Sequence, residues 1–129
     1  MVLDTSVVID FLLGIGEAPR VARCLEDGAA APDVLVFESL AVLRRMAGRG
    51  DATGLRLSGA VDDLGDLPIE LFPTLPLRTR AWELRENLTV GDALFVSLAE
   101  HLEEPLLTKD GRLARAAERL GTLSVVHVG

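Results

Sequence analysis

The sequence predicts an α/β fold, a single domain over residues 1–129 whose central parallel sheet is covered by helices on both faces. Three observations predict it. Short apolar runs alternate with longer amphipathic segments along the chain, the pattern of βαβ units. Val2-Leu3 and Leu106-Leu107 are apolar without alternation, as strands buried on both faces are. The 129 residues are 49% hydrophobic and 26% charged, which excludes disorder and lets a chain this long remove about two-thirds of its unfolded surface from water.

Val2-Leu3-Asp4 reads as a buried strand leading into Thr5-Ser6, which caps a helix running toward Leu13. Pro19 to Asp27 forms a second helix ended by Gly28, and Ala29 to Ala31 a short strand. Pro32-Asp33 opens a long helix to about Ala47, stopped by Gly48. Apolar residues cover nearly its whole circumference, so burial on more than one side is expected, one side meeting a partner chain. Thr53 to Leu64 is a helix and Ile69 to Phe72 a strand. Leu77, Ala81, Leu84 and Leu88 recur at helical spacing, as do Phe95, Leu98, Ala99 and Leu102 between Thr89 and Pro105. Leu106 to Thr108 is a strand, Leu113 to Leu120 a helix closed by Gly121, and Leu123 to Val128 a last strand.

The net charge is −7, from 20 acidic and 13 basic residues. Generic nucleic-acid binding through a basic field is therefore excluded; such a role needs a bound cation or local arginines. The lone Cys24 allows neither an internal disulfide nor a multi-cysteine zinc site, so a reducing cytoplasm is expected. Met1 to Gly16 is apolar, but Asp4, Asp10 and the lack of a basic leader argue against a signal peptide. No apolar run is long enough to cross a membrane.

In parallel sheets ligands bind beyond the carboxyl ends of strands, which directs attention to the acids there. Asp4 ends the first strand and Asp110 follows the Leu106–Thr108 strand; if these strands are neighbours, both carboxylates enter one crevice. Glu38 lies in the most apolar helix, where a charge is costly unless paired or metal-bound. Arg45, seven residues on, is its nearest basic candidate. Asp92 lies in the first turn of the helix after Thr89. Each acid also has an ordinary structural reading: Asp92 and Asp110 as helix caps, Asp4 as a turn former, and Glu38, with the weakest such case, as a charge paired within the fold. Four carboxylates in one crevice repel by about 3 to 4 kcal/mol per close pair, which only protons or a divalent cation would relieve. Oxygen ligands without His or Cys select Mg²⁺ or Mn²⁺ over zinc. Such ions serve hydrolysis or transfer at phosphorus, and they answer the charge objection by supplying positive field locally.

The start V-L-D-T-S, the helix P-D-V-L-V-F-E-S-L-A-V-L-R-R, the segment L-T-V-G-D-A-L-F-V-S-L-A-E and the strand end L-L-T-K-D together resemble the PIN domain. In particular they resemble the VapC-type toxins of bacterial toxin–antitoxin modules. The resemblance spans the chain and keeps all four acids in order. It implies a three-layer α/β/α fold and a Mg²⁺- or Mn²⁺-dependent endoribonuclease with Asp4, Glu38, Asp92 and Asp110 as metal-binding acids. Ser6 and Thr108 match supporting hydroxyls. The family further implies hydrolysis by a metal-activated water to a 5′-phosphate and a 3′-hydroxyl, a homodimer, and a VapB-like antitoxin whose C-terminal segment occludes the pocket.

Lys109 stands between Thr108 and Asp110, where an ammonium facing the pocket would oppose metal binding; strand alternation predicts that it turns away and is exposed. Arg112, Arg115 and Arg119 share one helical face, and Arg44 with Arg45 follows Glu38. All are candidate RNA contacts or, more simply, solvated residues. His101 and His127 are expected far from the acids, Asp10 solvated, and Trp82 in the core or an interface. A haloacid-dehalogenase-type phosphatase needs a second acid two residues after the first, and Ser6 stands there. A phosphoryl-receiver domain needs an Asp after a central strand, where Pro73-Thr74 follows Ile69–Phe72. A non-catalytic PIN-like scaffold remains an alternative.

Overall fold

A computed structural model describes residues 1–129. Five parallel strands form one sheet: β1 (Val2–Leu3), β2 (Ala29–Pro32), β3 (Ile69–Phe72), β4 (Leu106–Thr108) and β5 (Val125–His127), in the order β3-β2-β1-β4-β5. Helices α1 (Thr5–Leu13), α2 (Ala18–Asp27), α3 (Val34–Arg49), α4 (Gly54–Asp66), α5 (Arg78–Glu83), α6 (Val90–Leu102) and α7 (Gly111–Leu120) flank it. Parallel neighbours require crossovers, and these helices are the crossovers. The α/β expectation holds.

The site is positioned by the middle of the sheet. The chain lays β2 and β3 to one side of β1, then returns to place β4 and β5 on the other. Val2 pairs with Leu106 and Leu3 with Leu107, so β1 and β4 are the neighbours that the crevice argument needs. Where strand order reverses, the loops beyond the two carboxyl ends diverge and leave a crevice. Val2, Leu3, Leu106, Leu107 and Phe95 are fully buried beneath it. Each such leucine or phenylalanine contributes about 1.5 to 3 kcal/mol by leaving water, so the floor of the crevice is rigid.

Several boundaries differ from expectation: α4 runs on to Asp66, α5 stops at Glu83 before Leu84 and Leu88, and β5 is confined to Val125–His127; three others have a local reason near the site. β1 ends at Leu3, because Asp4 is already the extended residue capping α1. β2 runs on to Pro32, which pairs with Phe72, so α3 opens at Val34. That helix passes through Gly48 and stops at Gly50, whose φ of +70° is the left-handed cap; its N–H reaches back to Ala47 O and Met46 O.

The apolar circumference of α3 is not buried all round. Leu35, Ser39 and Leu43 face the core, while Phe37 is 70% exposed, with Val36 and Leu40 exposed beside it. Trp82 likewise lies outside the core, 66% exposed, with the Arg85 guanidinium 4.4 Å above its ring.

Candidate functional site

Asp4, Glu38, Asp92 and Asp110, from four separate segments of the chain, line one cavity of about 340 Å³. Thr5, Ser6, Phe37, Ala41, Val42 and Arg45 complete its wall. The cavity opens at the carboxyl ends of β1 and β4, where the reversal of strand order places a crevice.

Asp4 is the fixed point. It is buried, and its Oδ2 accepts hydrogen bonds from Ser6 Oγ and Thr108 Oγ1, both at 2.8 Å. Its Oδ1 is committed to no side chain. Burial pushes the Asp4 carboxyl up, the two hydroxyls pull it back, and nearby Asp110 adds to the rise. Thr108 links the two strand ends: its hydroxyl donates to Asp4 and accepts from Asp110 N at 2.9 Å. The Ser6 hydroxyl accepts in turn from Lys109 N at 3.0 Å. Both hydroxyls thus donate to the same oxygen of the Asp4 carboxylate.

Asp110 combines two roles. Its Oδ1 caps α7, accepting from Arg112 N and Leu113 N, while Oδ2 is left without a hydrogen-bond donor. Asp110 thus caps α7 and lines the cavity at once. Glu38 Oε1 accepts from Thr5 Oγ1 at 2.7 Å, so its partner is a hydroxyl and not Arg45. The other oxygen lies against Gly91, where any Cβ would collide with it. Burial lifts the Glu38 carboxyl, and Asp4 adds to the rise. Asp92 follows Gly91 on the turn capped by Thr89, whose hydroxyl accepts from Asp92 N. Burial first, and Asp4 second, push its carboxyl to about 6.

No three Asp, Glu, His or Cys side chains are already gathered as ligands around one point. The acids share a cavity but hold apart, the spread that like charges favour. The donor set still fits a hard cation: carboxylate oxygens only, one of them from a buried Asp4, in a space large enough for an ion with its remaining waters.

Other residues depart from expectation. Asp10 is buried rather than solvated, and Lys109 is half-buried rather than free, because its ammonium pairs with both Asp10 oxygens at 2.9 and 2.8 Å. His127 pairs with Thr108 across β4 and β5, so it lies near the acids instead of far from them, although it does not line the cavity. His101 is exposed on α6. Of the candidate arginines only Arg45 lines the acidic cavity; Arg44 faces the groove between α3 and α4. Arg112, Arg115 and Arg119 are exposed on α7, with the Arg115 guanidinium beside Gly111. Thr5, Gly91 and Phe37 escaped the sequence reading as members of the site. The D-T-S run contained the signal for Thr5, but a capping role absorbed it.

Comparison with known proteins agrees with this geometry. The chain is 39% identical over 118 residues to ribonuclease VapC1 of Mycobacterium tuberculosis, covering 89% of each. It is 35% identical over 120 residues to ribonuclease VapC12 of the same species, covering 90% of this chain and 91% of the relative. The crystal structure of VapBC2 from Rickettsia felis, bound to a DNA fragment from the promoter, matches 99% of this chain and 98% of its own at a TM-score of 0.66 and 14% identity. PAE2754 from Pyrobaculum aerophilum matches at the same TM-score and 17% identity, over 97% of this chain and 87% of its own. The PIN domain profile matches residues 1–119, and with the relatives' identity over most of the chain it settles the family: this chain belongs to the PIN domain family.

Proposed function

We propose that this chain is a divalent-metal-dependent endoribonuclease and the toxin of a VapBC-type toxin–antitoxin module. The observation that carries the reading is the meeting of Asp4, Glu38, Asp92 and Asp110 in one cavity. The VapC ribonucleases that it resembles over most of their length support the substrate class.

Asp4, Asp92 and Asp110, with Glu38, would hold Mg²⁺ or Mn²⁺. When bound, such an ion supplies Lewis acidity at phosphorus and lowers the pKa of water. The protein's own groups prepare that site. Ser6 and Thr108 hold Asp4 with Oδ1 available, and the α7 amides hold Asp110 with Oδ2 available. Thr5 orients Glu38. Without a cation, burial and the neighbouring acids push the Asp92 carboxyl up to about 6; a bound divalent ion would favour its ionised form and displace that proton. Arg45 on the cavity wall supplies a cation for a phosphate, and Arg44, Arg112 and Arg115 are further contacts for the strand on either side.

Two protein partners belong to the same reading. The exposed Val36, Phe37 and Leu40 of α3 form an apolar surface open to water. A second copy of the chain in a homodimer, or a VapB-like antitoxin reaching the cavity past Phe37, would cover it.

The test is hydrolysis of single-stranded RNA by the purified chain with Mg²⁺ or Mn²⁺. Cleavage is expected to stop with EDTA and with Asp4→Asn, and to leave 5′-phosphate ends. A folded wild-type chain that binds RNA but never cuts it, whatever the metal, would favour the non-catalytic scaffold instead.

A further inference from the structure

We infer that Asp10 and Lys109 are positioning residues for the acidic site, an ion pair that sets cation affinity without contacting the cation. The inference rests on the cation-binding reading above and extends it to two residues that do not line the cavity.

Asp10 lies one and a half turns along α1 from Asp4, with its side chain only 5% exposed. A carboxylate so far from water requires compensation. Lys109 Nζ donates to both of its oxygens, and Glu17 N donates to Oδ2 at 2.9 Å. Gly16 packs its backbone, at a φ of +47°, against the same carboxylate, leaving no room for a Cβ. Three segments thus close around Asp10: α1, the Gly14–Glu17 loop and the turn from β4 into α7.

Ser6 and Asp10 are four residues apart and therefore share one face of α1. That face grips residue 109 twice, Ser6 Oγ taking its N–H and Asp10 taking its ammonium. The residues on either side are the ones the site uses. Thr108 donates to Asp4, and Asp110 both lines the cavity and hangs its N–H on Thr108. Any freedom gained by residue 109 passes to Asp110 and to the hydroxyls holding Asp4. The pair also directs the chain's single lysine ammonium away from the acidic cavity, where it would compete with a metal ion.

The test is calorimetric titration of Mn²⁺ into the metal-free full-length chain, alongside RNA cleavage as a function of Mn²⁺ concentration. Asp10→Asn retains the size of the side chain and an acceptor for Glu17 N. The double variant Asp10→Asn with Lys109→Met removes both charges, leaves no buried carboxylate unpaired and so guards against a failure of the single variant to fold. Each variant is expected to weaken Mn²⁺ binding roughly tenfold or more, as loss of a group supporting metal ligands does. Each should raise the Mn²⁺ concentration for half-maximal cleavage, with the rate at saturating Mn²⁺ largely retained. Lys109→Arg, which keeps the pair, should restore wild-type affinity. Variants that melt lower yet bind Mn²⁺ as the wild type does would overturn the inference and leave the nuclease reading intact. A wild-type chain that binds no Mn²⁺ would overturn the nuclease reading itself, before any variant is made.

Discussion

Burial among three other acids raises the Asp92 carboxyl from 3.8 to about 6, and this couples folding to pH. Between those values the folded chain keeps a proton that the unfolded chain has lost, so stability falls as pH rises from about 4 to about 6. Asp4 and Glu38 are shifted in the same direction and add to the fall. The full shift would correspond to about 3 kcal/mol; Asp92 is partly exposed, and screening by solvent leaves on the order of 1 to 2 kcal/mol. Asp92→Asn in the metal-free chain should therefore match the wild type at pH 4 and melt several degrees higher at pH 7. Thermal melts across that range check it, and a gap that stays flat or reverses sign would contradict the electrostatic account. Asp4 and Asp110 were legible because each follows a strand, and Glu38 because it interrupts an apolar helix; Asp92, in the first turn of α6, was told from a helix cap only by the family resemblance. The Asp10–Lys109 pair was not legible, since residues 99 apart carry no mark of their meeting. Alternation turned Lys109 away from the cavity correctly but could not say that a buried carboxylate waits on that side.

At the scale of elements, the first turn of α6 shows backbone space serving a site. Gly91 leaves room for the Glu38 carboxylate, which a methyl group would displace. Alanine is the better helix former by about 1 kcal/mol, so Gly91→Ala is expected to melt no lower than the wild type. Its RNA cleavage should nevertheless drop on the order of a hundredfold, the effect of misplacing a reacting group by about 1 Å. Unchanged cleavage with an unchanged melt would mean that Glu38 needs no fixed position. Helix and strand identities followed from periodicity, and Ile69–Phe72 and Leu106–Thr108 fell where expected. Helix ends were less legible. Gly48 and Gly50 are equivalent as letters, and only the turn that follows decides which adopts the left-handed conformation.

For the whole molecule, the site depends on β1 separating two halves of the sheet. Strand order leaves no local trace, so the neighbouring positions of β1 and β4 had to be supposed before they were seen. The apolar face of α3 shows the reverse limit: a pattern of hydrophobic residues does not distinguish a core from a surface reserved for another chain. Phe37, 70% exposed, lies outside the core. The central claim is that four distant carboxylates act as one cation site, and repulsion among them is its most direct signature. Melting temperature should be measured with and without Mg²⁺ for the wild type and for Asp4→Asn, Glu38→Gln, Asp92→Asn and Asp110→Asn. Mg²⁺ is expected to stabilise the wild type; Asp4→Asn, Glu38→Gln and Asp92→Asn, whose carboxyls are all pushed up, should melt higher than the wild type without metal, and all four variants should lose most of the Mg²⁺ effect. Variants that melt lower and respond to Mg²⁺ as the wild type does would show that these carboxylates share a cavity but no ion.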